Sequence, residues 1–464
     1  MTERVNVFAP YDQSVIKELT FESEDAMRSK LERAYTLFKD QESWLPVHKR
    51  IEILQKIVTM MRSRYDEIVE TSAREGGKPL IDTKVEMDRA INGVNLAIEH
   101  IGNWKGEQVP MGLTAASANR MAFTFREPIG VVAAISAFNH PINLIIHQTI
   151  PAIAVGSPVI IKPALTTPLT CLALLEIYKE AGLPEGWCES LICDNEVAEK
   201  LVTDPKVNFF SFIGSAKVGW YLRSKLAPGT RCALEHGGAA PVIVEPDAEI
   251  ETLVQSLTKG GFYHAGQVCV SVQRVFVHES IIEEVTKKLA DLAASLVTGD
   301  PLDEQTEVGP LISPDVVNRI DEWVKEAKSQ GAEVVLGGKK ISDTCYEPTI
   351  LLNPDPQSKV STSEIFGPVV CLYSYRDIHE AIARANDIPY HFQAAIYTSN
   401  IDKALLGIHR LDATAVMVND HTAFRVDWMP FAGRDESGLG IGSIPHTMHD
   451  MSREKMMVFK SAVL

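Results

Sequence analysis

VNFFSFIGSAKVG, residues 207–219, is the stretch that decides the fold. Its first seven residues, Val207–Ile213, are mostly β-branched or aromatic and predict a buried strand. That run stops at Gly214-Ser215, and Ala216-Lys217-Val218-Gly219 opens a helix with no loop between. A strand turning straight into a helix is half of a parallel βαβ unit. The pattern repeats on both sides. Gly130–Ser136 (GVVAAIS) and Pro158–Pro163 (PVIIKP) predict buried parallel strands, and Pro168–Ala181 a helix stopped by Gly182 and Pro184. Further on, Pro241–Val244 and Arg274–His278 predict strands; Ala248–Tyr263, Ile281–Val297 and Ile378–Asn386 predict helices. The first hundred residues place apolar side chains at three- and four-residue spacing, giving helices over Glu22–Lys39, Val47–Ala73 and Ile81–Ile101. Ala116–Arg126 alternates and predicts a ribbon that leaves its domain to pair elsewhere. The expected class is α/β with doubly wound sheets.

At 464 residues the chain is too long for one ordinary core, so two or more domains are expected. Hydrophobic residues make up 45% and charged residues 23%, an ordinary globular balance. A net charge of −16 argues against nucleic acid as a partner, although a local arginine cluster would still bind a small anion. No apolar stretch approaches the roughly 20 residues of a membrane helix, and MTERVNVFAP has the features of neither a signal nor a transit peptide. The seven cysteines are scattered, which predicts free thiols and a cytoplasmic setting.

In such a setting a cysteine is an inert buried residue or a nucleophile. Cys269, in His264-Ala265-Gly266-Gln267-Val268-Cys269, follows a tight glycine turn where amides can approach a substrate. Glu235, in Leu234-Glu235-His236-Gly237-Gly238, ends an apolar run; it is a solvated loop carboxylate or a general base. Asn139 follows the strand Gly130–Ser136, where it caps the next helix or donates to a developing oxyanion. Gly76-Gly77-Lys78 lacks the spacing and hydroxyl of a phosphate loop, and His446 with His449 and Asp450 has no third cluster to complete a metal site.

Together these stretches resemble the aldehyde dehydrogenase superfamily over nearly the whole chain. EPIGVV (127–132), AFNHP (137–141), VIIKP (159–163), FIGSAKVG (212–219), LEHGG (234–238), GQVC (266–269), SEIFGP (363–368) and PFAGRDESGLG (430–440) occur in the family's order. The resemblance implies an NAD- or NADP-dependent oxidation in which Cys269 attacks the aldehyde. Asn139 and the Cys269 amide would hold the oxyanion, and Glu235 would activate the hydrolytic water. It implies that Ser136, Ala137, Phe138, Lys162, Leu165, Gly214, Ser215, Gly219, Glu364 and Phe366 meet the cofactor, and that no metal is needed. It divides the chain into a cofactor-binding domain (1–108 and 127–236), a catalytic domain (237–440) and oligomerisation segments (109–126 and 441–464). These segments imply a homodimer or homotetramer.

Three departures matter. Leu165 stands where NAD-preferring members usually carry a glutamate that bonds the ribose 2′-hydroxyl, so NADP is expected to be tolerated. His236 replaces a commoner leucine, and Ala432 a glycine. Arg425 lies in a segment that commonly forms an apolar substrate wall; it either pairs internally with Asp427 or Asp420 or grips an anionic substrate group. His147 occupies another wall position and is expected to bond a hydroxyl or anion. HTAFRVDWMPF (421–431) resembles the lactaldehyde, sulfolactaldehyde and phosphonoacetaldehyde branch, while Val268 stands where the phosphonoacetaldehyde enzymes carry an arginine. The competing readings are a coenzyme A-acylating dehydrogenase, which typically lacks the Glu235 carboxylate, and a non-catalytic relative, which would be expected to have lost Cys269, Asn139 or Glu235.

Overall fold

The strand of VNFFSFI forms as its composition requires, Val207–Ile213, and lies between Val131–Ile135 and Arg231–Glu235. The computed structural model describes residues 4–464. The strands form a six-stranded sheet in the order Gly438–Leu439, Arg231–Glu235, Val207–Ile213, Val131–Ile135, Val159–Lys162, Cys188–Ser190. Every pair is parallel except that of Gly438–Leu439 with Arg231–Glu235. From Val131–Ile135 the chain runs outward one way through 159–162 and 188–190, then returns to the other flank at 207–213. This reversal is a topological switch point, and the crevice beyond the carboxyl ends of its two strands is where such sheets bind ligands.

A second sheet has seven strands in the order Glu333–Leu336, Thr349–Leu352, Val369–Tyr375, Val272–His278, Ala240–Val244, Gln393–Tyr397, Ala415–Val418. Its inner strands are apolar on both faces because helices cover both, giving the largest buried cluster of the molecule. The chain passes from the first sheet to the second in one short step, where Glu235 ends a strand of the first and Ala240 begins one of the second, and it returns to the first at Gly438–Leu439. The carboxyl edge of one sheet thus opposes the amino edge of the other. The helix Asn143–Val155 is buried at every residue and ends at Gly156, left-handed at φ 85°.

Element boundaries agree with the sequence reading to within a few residues, with two corrections. Val47–Ala73 is two helices, Val47–Ser63 and Tyr65–Gly76, broken at Arg64. No glycine or proline marks the break. The apolar phase runs on through it, Met61 leading to Ile68 and Val69, so periodicity reads one helix. The expected ribbon begins later, at Arg120, after a short turn at Ala115–Ser117. It pairs antiparallel with Ser452–Lys460 of the same chain and with Gln108–Val109. Among the described residues no helix is long and apolar enough to cross a membrane, and all seven cysteines are unpaired thiols.

Candidate active site

A cavity of about 500 Å³ opens between the two sheet edges. Eleven of the fifteen site residues expected from the sequence line it: Ser136, Ala137, Phe138, Asn139, Gly214, Ser215, Glu235, Cys269, Glu364, Phe366 and Arg425.

Cys269 reaches the cavity through a strained turn. His264, Ala265 and Gly266 are left-handed in succession, at φ 49°, 53° and 68°. For residues with a Cβ this costs about 1–2 kcal/mol each. At Gly266 a Cβ would stand 2.1 Å from Gly367 O, so glycine is obligatory there. The turn sets Cys269 Sγ 3.9 Å from Glu235 Oε1. Burial pushes the thiol well above its ordinary range, and Glu235 adds to that. Burial also raises the Glu235 carboxyl, against the opposing field of Arg425. Both shifts favour the uncharged form of each group, and the two lie close enough for a proton to pass between them. Asn139 Nδ2 donates to Gln267 O at 2.9 Å, which ties the loop of Asn139 to the loop of Cys269. One N–H of that amide remains, and the Cys269 backbone N–H has no oxygen partner among the described residues. Two open donors beside a thiol are what an oxyanion on the attacked carbon needs.

At the other side, Ser215 precedes the helix Ala216–Arg223 and makes no side-chain cap. The amides of Ala216 and Lys217 find no partner among the described residues and stand open at the helix N-terminus, a seat for a phosphate. The rings of Phe138 and Phe366 meet edge-on at 5.8 Å. Glu364 accepts a hydrogen bond from Gly238 N at 3.1 Å, and burial pushes its carboxyl up to about 7. A Cβ on Gly237 would lie 1.9 Å from Glu364 Oε1, so that glycine admits the carboxylate. These groups fit a dinucleotide: open amides for the pyrophosphate, a carboxylate for a ribose, and rings around a flat heterocycle.

The other four site residues lie off the cavity wall. Lys162 is buried at the end of its strand, its Nζ 3.5 Å from Pro163 O, and burial lowers its pKa. Leu165 is half-buried in the loop beyond. Gly219 faces His236, whose Cε1 would stand 2.0 Å from a Cβ there, so it makes room for an imidazole. His147, expected to bond a hydroxyl or anion, meets a carboxylate of the protein itself. Its Nε2 lies 2.8 Å from Asp427 Oδ1, and it borders a small adjoining cavity of about 40 Å³ whose wall includes Glu235 and Phe431.

Asp427 also decides how Arg425 is read. This carboxylate is 1% exposed and fully engaged: Arg89 donates to it twice, at 3.1 and 2.8 Å, and Asn143 Nδ2 at 3.2 Å. Arg89 and His147 hold its pKa well below the usual range despite burial. Arg425 forms no ion pair with Asp427, Asp420 or any other carboxylate among the described residues. Its guanidinium lies 3.6 Å from the centre of the Phe431 ring, with Nε buried and unpartnered.

Sequence reasoning missed several cavity-lining side chains: Arg89, His140, Tyr263 and Arg319. One signal was available. Asp82, Glu86 and Arg89 put charges in the apolar phase of the helix Leu80–Ile101, where only paired or functional charges survive.

An α/β fold whose cavity joins a dinucleotide crevice to a cysteine and a carboxylate defines a nucleotide-dependent dehydrogenase. A model of the aldehyde dehydrogenase family matches residues 1–457, and the chain belongs to that family. It is an NAD- or NADP-dependent oxidoreductase acting on aldehydes. It is 38% identical over 457 residues to the 3-sulfolactaldehyde dehydrogenase of Priestia aryabhattai, covering 98% of this chain and 95% of that one. To the lactaldehyde dehydrogenase of Methanococcus vannielii it is 35% identical over 463 residues, covering 99% and 97%. The crystal structure of glyceraldehyde-3-phosphate dehydrogenase GapN from Methanocaldococcus jannaschii, complexed with NADP, superposes with a TM-score of 0.94 at 34% identity, covering 99% of this chain and 100% of that one.

Proposed function

We propose that the chain oxidises a short 2-hydroxyaldehyde, carrying an anionic tail, to its carboxylate through a covalent bond to Cys269. The unpaired guanidinium of Arg425 on the cavity wall is the observation that carries the substrate reading. A buried charge without a partner is costly, and a carboxylate, sulfonate or phosphate on the substrate would supply the missing partner. Arg89, steered by Asp427, lines the same wall. The aldehydes in the three relatives' names all bear a 2-hydroxyl, and two of them an anion.

Cys269 Sγ bonds to the aldehyde carbon while Glu235 takes the thiol proton, and Asn139 Nδ2 with the Cys269 amide holds the oxyanion. NAD or NADP, when bound, supplies the hydride acceptor; Gly214, Ser215, Glu364, Phe366 and the segment Ser136–Phe138 hold it, with Lys162 and Leu165 beyond. Glu235 releases the thiol's proton to solvent and then deprotonates the water that attacks the remaining thioester; the C–S bond breaks, and the proton Glu235 took from the water restores the thiol. In this reading residues 1–108 and 127–236 bind the cofactor, and 237–440 carry catalysis. Segments 109–126 and 441–464 assemble a cytoplasmic homodimer or homotetramer. Met456, Met457, Val458 and Phe459, all exposed on an edge strand, support that assembly.

The test is a panel of 2-hydroxyaldehydes with neutral, carboxylate, sulfonate and phosphate tails, assayed with each cofactor. The expected outcome is a kcat/KM at least about tenfold higher for one of the anionic tails. Equal rates on lactaldehyde and every anionic analogue would overturn the anion reading.

A further inference from the structure

The loop of Asn139 leads directly into the fully buried helix Asn143–Val155. That helix has no side-chain cap of its own. A distant residue serves instead: Glu86 Oε1, on the helix Leu80–Ile101, accepts from Ile142 N at 2.8 Å and Asn143 N at 2.9 Å. Its other oxygen accepts from Lys78 Nζ at 2.6 Å. Both side chains are essentially sealed from water, at 0% and 1% exposure. An enclosed ion pair of this kind gains little net stability, because desolvating two charges offsets their attraction. It does fix geometry, since neither partner has anywhere else to go.

The backbone beside Lys78 touches the same place from another direction. A Cβ on Gly76 would contact Pro141 at 3.6 Å, Thr167 at 3.8 Å and Phe138 O at 3.9 Å. Gly77, left-handed at φ 72°, packs on Pro310, and a Cβ on Gly309 would lie 2.1 Å from Gly77 O. Pro310 O in turn accepts from Gln267 Nε2, and Gln267 O is the acceptor for Asn139. The segment Gly76–Lys78 therefore lies against the Asn139 loop and connects, through Gly309 and Pro310, to Gln267 two residues before Cys269.

We propose that Lys78 and Glu86 are positioning residues for the oxyanion site: the pinned carboxylate holds the helix N-terminus that aims Asn139 Nδ2 at the carbon attacked by Cys269. This rests on the reading of Asn139 as an oxyanion donor. A displacement of about 1 Å at such a donor costs on the order of a hundredfold in rate, so the pair should act on kcat rather than on binding.

The experiment is a double-mutant cycle. Glu86→Asp keeps the charge but withdraws the carboxylate by one methylene. It is measured in the wild-type and Asn139→Ala backgrounds, with cofactor affinity by titration calorimetry and with melting temperature. Asn139→Ala alone should lower kcat about a hundredfold or more. Glu86→Asp in the wild type should lower kcat roughly ten- to hundredfold with cofactor Kd within about threefold. In the Asn139→Ala background it should cost less than about twofold, because the donor it aims is gone. An equal loss in both backgrounds, or none in either, overturns the proposal, as does a cofactor Kd that weakens in step with kcat. Near-normal activity of Asn139→Ala by itself removes the donor reading and the positioning role together, an outcome visible in that arm alone. Should Glu86→Asp not fold, Lys78→Met with Glu86→Gln removes both charges, keeps an acceptor oxygen for the helix, and enters the same cycle under the same criteria.

Discussion

The two ends of the cavity treat charge in opposite ways. Around Cys269, burial drives the ionisable groups toward neutrality: the thiol is raised, Glu235 is raised, and Glu364 is pushed up to about 7. At the far wall two guanidiniums are kept. Arg89 is steadied by Asp427, and Arg425 rests on Phe431 with no counter-ion. In the proposed mechanism the reacting end would create and discharge ions during turnover, so a low resting charge there would avoid stored repulsion and idle reactivity. The wall of Arg89 and Arg425 carries a field that reaches the reacting groups, since Arg425 opposes the upward shift of both Cys269 and Glu235.

The largest effect is expected from Cys269→Ala, which should abolish oxidation while leaving NADP affinity nearly unchanged. Mass spectrometry of a quenched turnover should find an acyl adduct on Cys269; an adduct on another cysteine would dismantle the reacting end as drawn. Glu235→Gln comes next. Its neutral amide cannot activate water, so a burst of reduced cofactor followed by slow turnover is expected. The sign of the pH dependence follows from the raised carboxyl: the basic form is lost as pH falls through that raised pKa. The acid limb of kcat should therefore lie above the usual carboxylate value of about 4.3, and it should vanish in Glu235→Gln. Full steady-state activity in the variant, or a strict need for coenzyme A in the wild type, would refute hydrolysis.

Arg425→Leu tests the link between the ends. A charge-assisted bond is worth about 1.5–3 kcal/mol, so kcat/KM for the anionic substrate should fall roughly ten- to a hundredfold. Propanal oxidation should be spared, and the acid limb should move upward once the opposing cation is gone. Equal losses on both substrates, with a lower melting temperature, would instead assign Arg425 a structural role. Leu165→Glu should have the smallest effect: an NADP KM raised about tenfold, or some 1.4 kcal/mol, with the NAD KM little changed. An enzyme that already refuses NADP, with an unchanged variant, would show Leu165 to be irrelevant.

The reacting end was readable in advance because its chemistry is written in short contiguous strings. At Asn139, Gly214 and Glu235 a strand runs into its functional group within a few residues, and the fold follows from the same strings. The far wall is assembled differently. Arg89, His140, Tyr263 and Arg425 come from four separate stretches, and no local pattern announces that they will meet. Asp427 shows the difficulty well. From sequence it was one of two candidate partners for Arg425, two residues away, yet it binds Arg89 across 338 positions instead. The partner of His147 was hidden for the same reason, since it too is Asp427. The break at Arg64 stayed hidden because both helices keep one apolar phase.

Gly219 and His236 close together like a key and its slot: a methyl group at 219 would stand 2.0 Å from the imidazole. The two sites therefore cannot drift independently. A lineage holding the histidine is confined to glycine at 219, whereas one that loses the histidine first is free to enlarge 219 afterwards. Once it has done so, the return is barred until the added bulk is removed. The order of substitutions across this pair is thus directional, and the imidazole beside Glu235 is easier to lose in descent than to regain.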